Sequence, residues 1–557
     1  MTEDLLRHYR DVLTHEGYQV EVGPSNTLNI SLQIQEQEID VECTIPEAFP
    51  YQFPLIRLSE RASTLCAGFA HRFVGDYLCL FNQADAEPGF RYPDQLLLET
   101  VKKAEVVLTD GFVGDNAAEF EKEILEYWNK KTVSEFRVFS KFPAQISQFC
   151  AYYIKEKYFV LAENKSHLDA VVENIIHDES QNKSLEFGLH IPLSSGFTSH
   201  EVTTEKDLWK IISERTTSKE RQMIHGRMKA MHNRCKLFVV SFPAEDGQRI
   251  FLGWVSTGIK SLPGFRKEHV SPFTYWGMQS NSQLCKNLAT MVTNCSQEYL
   301  YQRGGYGFDR RLESATIVGC GSVGSELAVE LSSMGTSQFL LIDNEDLSTD
   351  NIARHVCGYD FVGLNKAHAM KLFLQHANPN ITCEAFANSA FQEVIQQVEH
   401  INQTQCVFVA VGDIAIEAFI MKLAEDGKIN CPLIIAWVEP RCYAGHLIYI
   451  TKPKGALDAL IDPATLTYRS TVIQENSFVK HVPGCSTGYI PYSGLDVKQF
   501  ISRSLHELSI LREYPQLQGN YHYTWVGEIS EARRQNIRIS DDYADAHDFS
   551  FLTKRFD

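Results

Sequence analysis

Residues 315–351 read ATIVGCGSVGSELAVELSSMGTSQFLLIDNEDLSTDN. Ala315 to Val318 is a short apolar run of the kind that forms a buried parallel strand. Gly319, Gly321 and Gly324 follow in G-x-G-x-x-G spacing, then a helical pattern over Ser325 to Met334. A second apolar strand, Gln338 to Ile342, ends on Asp343. Small residues let a backbone approach a phosphate, the helix N-terminus offers free N–H groups, and the acid can hold ribose hydroxyls. The order predicts a nucleotide site. On its own a glycine fingerprint most often means NAD.

The residues downstream point elsewhere. Asp343 opens the run Asp343-Asn344-Glu345-Asp346, and Asn351, Arg354, His355 and Lys366 follow. Together they supply a second acid, an amide, a guanidinium and an ammonium. Arg and Lys match phosphate charges, and Asp suits a hard Mg²⁺ ion that keeps several waters. A further strand, Gln405 to Val411, ends in Gly412-Asp413. That places another carboxylate at the carboxyl edge of the sheet, where open α/β sheets bind ligands. The set argues for ATP with Mg²⁺ rather than a nicotinamide.

The pattern G-x-G-x-x-G, D-x-x-D, N-x-x-R, Lys and a late Asp resembles the adenylation domain of ubiquitin-activating enzymes and their bacterial ThiF/MoeB relatives. The resemblance runs from about Gly304 to Gly494. It implies a Rossmann-like α/β domain in which Gly319, Gly321, Gly324, Asp343 and Asp346 bind the nucleotide. By the same resemblance Asn351, Arg354 and Lys366 hold the phosphates and Asp413 the Mg²⁺. Two departures stand out. Asp413-Ile414-Ala415-Ile416-Glu417 lacks the Asn and basic residue common after the late Asp. No cysteine pair has the C-x-x-C spacing of a zinc site.

At 557 residues the chain is expected to hold three or four domains. Its 44% hydrophobic and 22% charged residues are those of an ordinary globular protein. A net charge of −18 argues against nucleic acid or an anionic membrane as main partner. The start, MTEDLLRHYRDVL, is charged and amphipathic rather than a signal peptide, and no apolar run is long enough to span a bilayer. Fourteen scattered cysteines without a secretory signal predict a reducing, cytoplasmic setting.

From the start, residues 2 to 16 read as an amphipathic helix, and Tyr18 to Val22, Leu28 to Ile34 and Ile39 to Cys43 as an antiparallel meander. Then comes Phe49-Pro50-Tyr51-Gln52-Phe53-Pro54, an extended entry into another strand. Helix, meander and F-P-x-x-F-P resemble a ubiquitin-conjugating enzyme core, over about Met1 to Lys131. That resemblance implies a catalytic cysteine on an irregular loop, which Cys79 in Gly75-Asp76-Tyr77-Leu78-Cys79-Leu80 supplies. His71 lacks the Pro-Asn that follows it in the eukaryotic family, so His71, Asn82 or a backbone N–H is left to stabilise the oxyanion. Leu78 and Leu80 would equally suit a buried strand cysteine.

Residues 132–302 are expected to form an α+β connector, with Ser282 to Tyr301 a helix leading into an adenylation domain over 303–557. His177, His190, His225 and His232 lack regular ligand spacing and read as surface or core residues. In homodimeric relatives an arginine near Arg310 or Arg311 reaches the partner's ATP, which implies a homodimer through the adenylation domain.

Past two further strands lies Pro483-Gly484-Cys485-Ser486-Thr487-Gly488. Flanking glycines and prolines suit an exposed loop thiol, and activating enzymes carry a catalytic cysteine in a crossover near this place. Cys320, inside the glycine loop, reads as a small filler. Conjugating domain, connector and activating domain in that order resemble the fused activating–conjugating proteins of bacterial CBASS antiphage operons. Such a protein would adenylate a protein C-terminus ending in glycine, load it on Cys485, pass it to Cys79 and join it to an amine. The resemblance implies a cGAS-like nucleotidyltransferase as the transferred protein; a ubiquitin-like modifier is the alternative. Two other readings compete: a sulfur-carrier adenylyltransferase of the ThiF/MoeB sort, and a non-catalytic scaffold.

Overall fold

A computed structural model of the chain describes residues 2–66, 69–72, 75–81, 86–114, 124–125, 128–129, 132–154, 157–176, 184–196, 205–231, 236–244, 248–256, 287–302, 312–474, 478, 480–481, 488–510 and 518–556. They divide into two compact units, Met1–Leu168 with Gln181–Asn294, and Asp169–Ser180 with Cys295–Asp557.

The first unit opens with helix α1 (Glu3–His15), whose Leu6, Tyr9 and Leu13 recur at helical spacing and are buried. They pack on a meander of β1 (Gln19–Val22), β2 (Thr27–Ile34), β3 (Gln37–Thr44) and β4 (Leu55–Leu58), antiparallel in that order. Leu28, Ile30, Leu32 and Ile34 alternate inward along β2, the period-two signature of a half-buried strand. A short helix α2 (Glu60–Leu65), capped by Ser59, follows β4. Helix α3 (Pro93–Val113) starts on a proline, ends at Gly114 in the left-handed region, and buries Leu97, Val101, Ala104 and Leu108 in the same core.

The first unit also contains a closed barrel. Its strands are β5 (Ser134–Val138), β6 (Ser147–Ile154), β7 (Tyr158–Ala162), β8 (Leu185–Pro192), β9 (Leu237–Pro243), β10 (Arg249–Ser256) and β11 (Asn287–Asn294). They run β10-β11-β5-β7-β6-β8-β9, and β9 pairs back onto β10. Gly188 makes room inside: a Cβ there would lie 2.1 Å from Phe149 Cζ. Helices α4 (Glu205–Arg215) and α5 (Ser218–Ala230) cover another face around Trp209, Trp254 and Phe238. The helix expected over Ser282 to Tyr301 is corrected here. Asn287–Asn294 is strand β11, parallel to β5 and antiparallel to β10, and a one-and-a-half-turn helix begins only at Gln297. Barrel closure outweighs the helix propensity of Leu288, Ala289 and Met291.

The second unit is a Rossmann-like α/β layer structure. Strands β12 (Ser314–Val318), β13 (Gln338–Ile342), β14 (Thr382–Phe386), β15 (Cys406–Val409) and β16 (Leu433–Val438) are parallel. Antiparallel β17 (Ala444–Ile450), β18 (Asn520–Val526) and β19 (Phe551–Phe556) extend the sheet, in the order β14-β13-β12-β15-β16-β17-β18-β19. Helices α6 (Ser322–Ser333), α7 (Lys366–Ala377) and α9 (Gly494–Ile510) share one core cluster and α8 (Ile414–Glu425) another, so the sheet is covered on both faces. From β12 the chain first winds outward to β13 and β14, then returns to β15 on the other side. That reversal opens a crevice at the carboxyl ends of β12 and β15.

Candidate nucleotide and thiol sites

The glycine loop sits in that crevice. Gly319 takes φ +90° and donates its N–H to Ile342 O at 2.8 Å; a Cβ on it would lie 2.6 Å from Ala410 O. A Cβ on Gly324 would lie 1.8 Å from Gly319 O, so that glycine closes helix onto strand. Gly321 is different: nothing lies within 4 Å of a Cβ built there. It caps the N-terminus of α6, where no side chain among the described residues takes up the first-turn N–H groups. Open space, uncapped donors and the positive end of a helix of 12 residues suit an anion.

The other candidates are tied to this loop. Asp343 accepts from Cys320 N at 2.7 Å and from Glu345 N at 2.8 Å, while burial raises its pKa against those bonds. Asn365 donates to the carbonyl of Asp343 at 2.7 Å and caps α7 through Ala367 N at 3.0 Å. Lys366, buried at the first position of α7, pairs with the carboxylate of Glu345. Arg354 accepts from Ser322 Oγ through its carbonyl at 2.7 Å, and its guanidinium lies 4.7 Å from the centre of the Tyr492 ring. His355 donates Nε2–H to Cys320 O at 2.8 Å and accepts from Cys357 N at 3.1 Å, and burial lowers its pKa. Asn351 turns inward, its Oδ1 taking Ser348 N at 2.9 Å. Asp346 is exposed, bridging Asn365 through its backbone.

Asp413 is exposed and caps α8, with Oδ1 accepting from Ala415 N at 2.8 Å and Ile416 N at 3.4 Å. Its second oxygen has no hydrogen-bond partner among the described residues and is open to a hard cation, so the donor chemistry fits Mg²⁺. One turn on, Glu417 is buried and accepts from Tyr468 OH at 2.6 Å; burial pushes its carboxyl up to about 7. Cys320 is a buried filler. Among the described residues no group of three or more His, Cys, Asp or Glu could hold a metal.

In the first unit Cys79 is partly exposed between buried Leu78 and Leu80. Its N–H donates to His71 O at 2.7 Å, which brings the two backbones together, and His71 takes φ +61°. Arg72 fixes this turn, donating to Asp76 Oδ1 at 2.5 Å, Ser63 Oγ at 2.8 Å and Cys66 O at 2.8 Å. The Ser63 hydroxyl first, then Arg72, lowers the Asp76 pKa against burial.

Cys485, Asn82, Arg310, Arg311, His177 and His232 lie outside the described residues. The chain that leads into the Cys485 stretch is held by Glu439, whose two oxygens accept from Val472 N at 2.6 Å and Ile473 N at 2.7 Å. His446 donates to Glu439 at 2.8 Å, and Trp437 stacks on both His446 and Tyr468. Glu439 and His446 are buried, as is His190 in the barrel. Sequence reading missed Glu345, Ser322 and Tyr492 as site neighbours. Glu345 sits in the acidic run and Ser322 beside Gly321, but nothing near Tyr492 in sequence signals Arg354.

A chain with this crevice and this thiol turn combines an adenylation-type domain with a conjugating-type domain. Residues 308–516 match the model of the ThiF family, and residues 9–137 the model described as Prokaryotic E2 family B. Among curated proteins, the chain is similar to the ATP-dependent ubiquitin transferase-like protein Cap2 of Enterobacter hormaechei subsp. hoffmannii (strain UCI 50). The two are 28% identical over 216 residues, 36% of this chain and 35% of Cap2, so the match spans about a third of that relative's length. Among solved structures, PaaA in its selenomethionine form aligns at 18% identity over 46% of this chain and 66% of that one, with a TM-score of 0.29. MccB of E. coli with ATP aligns at 21% identity over 27% of this chain and 42% of that one, with a TM-score of 0.22. Among the described residues no helix is long and apolar enough to cross a membrane.

Proposed function

We propose that the chain activates the C-terminal carboxylate of a protein with Mg·ATP and conjugates it to an amine. The observation that carries this reading is the open face of Gly321 at the N-terminus of α6, with Asp343 and Arg354 each one hydrogen bond from the loop. A carboxylate oxygen attacks the α-phosphorus, the bond to the bridging oxygen breaks, and pyrophosphate leaves. Arg354 and Lys366 offset the phosphate charge, Asn351 and Asp346 complete the pocket, and Asp413 would hold Mg²⁺, which would offset further phosphate charge. The Cys485 thiolate then attacks the acyl carbon and expels AMP. Cys79 takes the acyl group with loss of the Cys485 thiolate, His71 or a neighbouring N–H meeting the oxyanion. A lysine amine finally displaces Cys79, loses a proton and becomes an isopeptide. Both thiols in one polypeptide give the middle transfer a high effective concentration.

The substrate we favour ends in glycine and is a cGAS-like nucleotidyltransferase primed in CBASS antiphage defence, in the cytoplasm, by a homodimer joined through its adenylation domains. The order of domains and the similarity to Cap2 support that choice. One trap tests the scheme: Cys79→Ser protein incubated with Mg·ATP in a lysate of its own host should hold the transferred polypeptide as a stable oxyester. Mass spectrometry then identifies that polypeptide, a nucleotidyltransferase or a ubiquitin-like modifier. Asp413→Ala should abolish adenylation, and Cys485→Ala should keep adenylation while losing the thioester. Conjugation at full rate by Cys79→Ala would sink the relay.

A further inference from the structure

Arg354 is fixed from behind by the glycine loop. Ser322 Oγ holds its carbonyl at 2.7 Å, and the next residue, His355, reaches Cys320 O at 2.8 Å. Its side chain is a different matter, because a guanidinium on a long flexible stem has many rotamers to lose. The ring of Tyr492 lies under it, 4.7 Å from the guanidinium carbon to the ring centre.

Tyr492 is itself held on both sides. Arg441 N donates to Pro491 O at 3.0 Å, and Cys442 Sγ lies 3.9 Å from Ser493 O. Arg441 and Cys442 take φ of 54° and 53°, a region L-residues rarely adopt, and the turn aims the Arg441 N–H at Pro491. Gly494 lies flat on the arginine's backbone: a Cβ there would be 3.0 Å from both Ala353 O and Arg354 Cα.

The two cations of the crevice are therefore kept in different ways. Lys366 has a carboxylate partner in Glu345. Arg354 has no salt-bridge partner among the described residues; it rests on a ring face, which restrains a cation without neutralising it. A phosphate arriving at Arg354 has no counter-charge among the described residues to displace.

We propose that Tyr492 is a positioning residue for Arg354, its ring holding the guanidinium beside the glycine loop in the place a nucleotide phosphate will occupy. The inference rests on Arg354 being a phosphate ligand. Isothermal titration of the full chain with Mg·ATP tests it, with no acyl substrate needed. Tyr492→Ala and Tyr492→Leu should each weaken binding about tenfold, and Tyr492→Phe should restore it to within about twofold. Arg354→Ala combined with Tyr492→Ala should bind no more weakly than Arg354→Ala alone. Losses that add, or Leu binding as well as Phe, would overturn the proposal, since packing alone would then explain the ring. If Arg354→Ala weakens binding and Tyr492→Ala does not, the positioning role falls and the phosphate reading stands. If Arg354→Ala itself binds normally, the phosphate reading falls first.

Discussion

The ammonium of Lys366 pairs with the carboxylate of Glu345 although the lysine side chain is 7% exposed and the glutamate 68%. The lysine also stands at the first position of α7, where the helix dipole repels a cation. A buried amine at that end needs an anion, and in the proposed reaction phosphate takes over the part that Glu345 plays.

Glu345→Gln should therefore destabilise the nucleotide-free protein, by on the order of 1 kcal/mol. Mg·ATP should then raise the melting temperature more in the variant than in the parent, because phosphate supplies the missing charge and competes with nothing. Thermal melts with and without Mg·ATP read both effects. Equal nucleotide-induced shifts would show that Glu345 and phosphate do not share the lysine.

Two glycines separate fold from binding. Gly324→Ala places a methyl 1.8 Å from Gly319 O, and should cost several kcal/mol, visible as a large fall in melting temperature. Gly321→Ala meets nothing within 4 Å, so its melting temperature should stay within about 2 °C of the parent while Mg·ATP binding falls at least tenfold. Normal ATP affinity in Gly321→Ala would mean that the loop is only a turn.

Acid should loosen the second unit through His522. His446 spends its Nε2 hydrogen on Glu439, so its Nδ1 accepts from His522 Nε2–H at 3.0 Å. Burial lowers the His522 pKa from 6.5 to about 3. The unfolded chain thus binds the extra proton between those values. This share of stability is complete above pH 6.5 and is lost as pH falls toward about 3. His522→Gln, which keeps an N–H donor, should flatten the fall in melting temperature between about pH 6.5 and 4. An unchanged acid limb would assign the loss to other groups.

Glu417 runs the opposite way. Burial raises its carboxyl from 4.5 to about 7, so the folded state holds the proton and stability declines as pH rises through that range. Fully ionised, the group costs about 3 kcal/mol. Glu417→Gln can still accept from Tyr468 and should be more stable than the parent at pH 8, with little difference at pH 5. A variant less stable at both values would show that the carboxylate is wanted.

The glycine-loop crevice is legible in the chain because its demands are local. Gly319, Gly321 and Gly324 answer three separate steric requirements within six residues, and β12, α6 and β13 follow one another with the expected periodicities. The meander is legible for the same reason, since Leu28 to Ile34 alternates inward without interruption. The barrel is not. Asn287–Asn294 becomes a strand because β5 and β10 flank it, and that pairing spans more than a hundred residues on one side. Tyr492 and Arg354 likewise meet only after the sheet has formed between them. Asn351, expected to face phosphate, spends its Oδ1 on Ser348 in a local turn that composition does not announce.

Closure of the β5–β11 ring has a consequence for the life of the protein in a crowded solution. Every one of its strands already has a neighbour on each side, so this part of the chain offers newly made copies no free ladder to zip onto. The middle section therefore adds no strand-pairing route by which one copy could capture another.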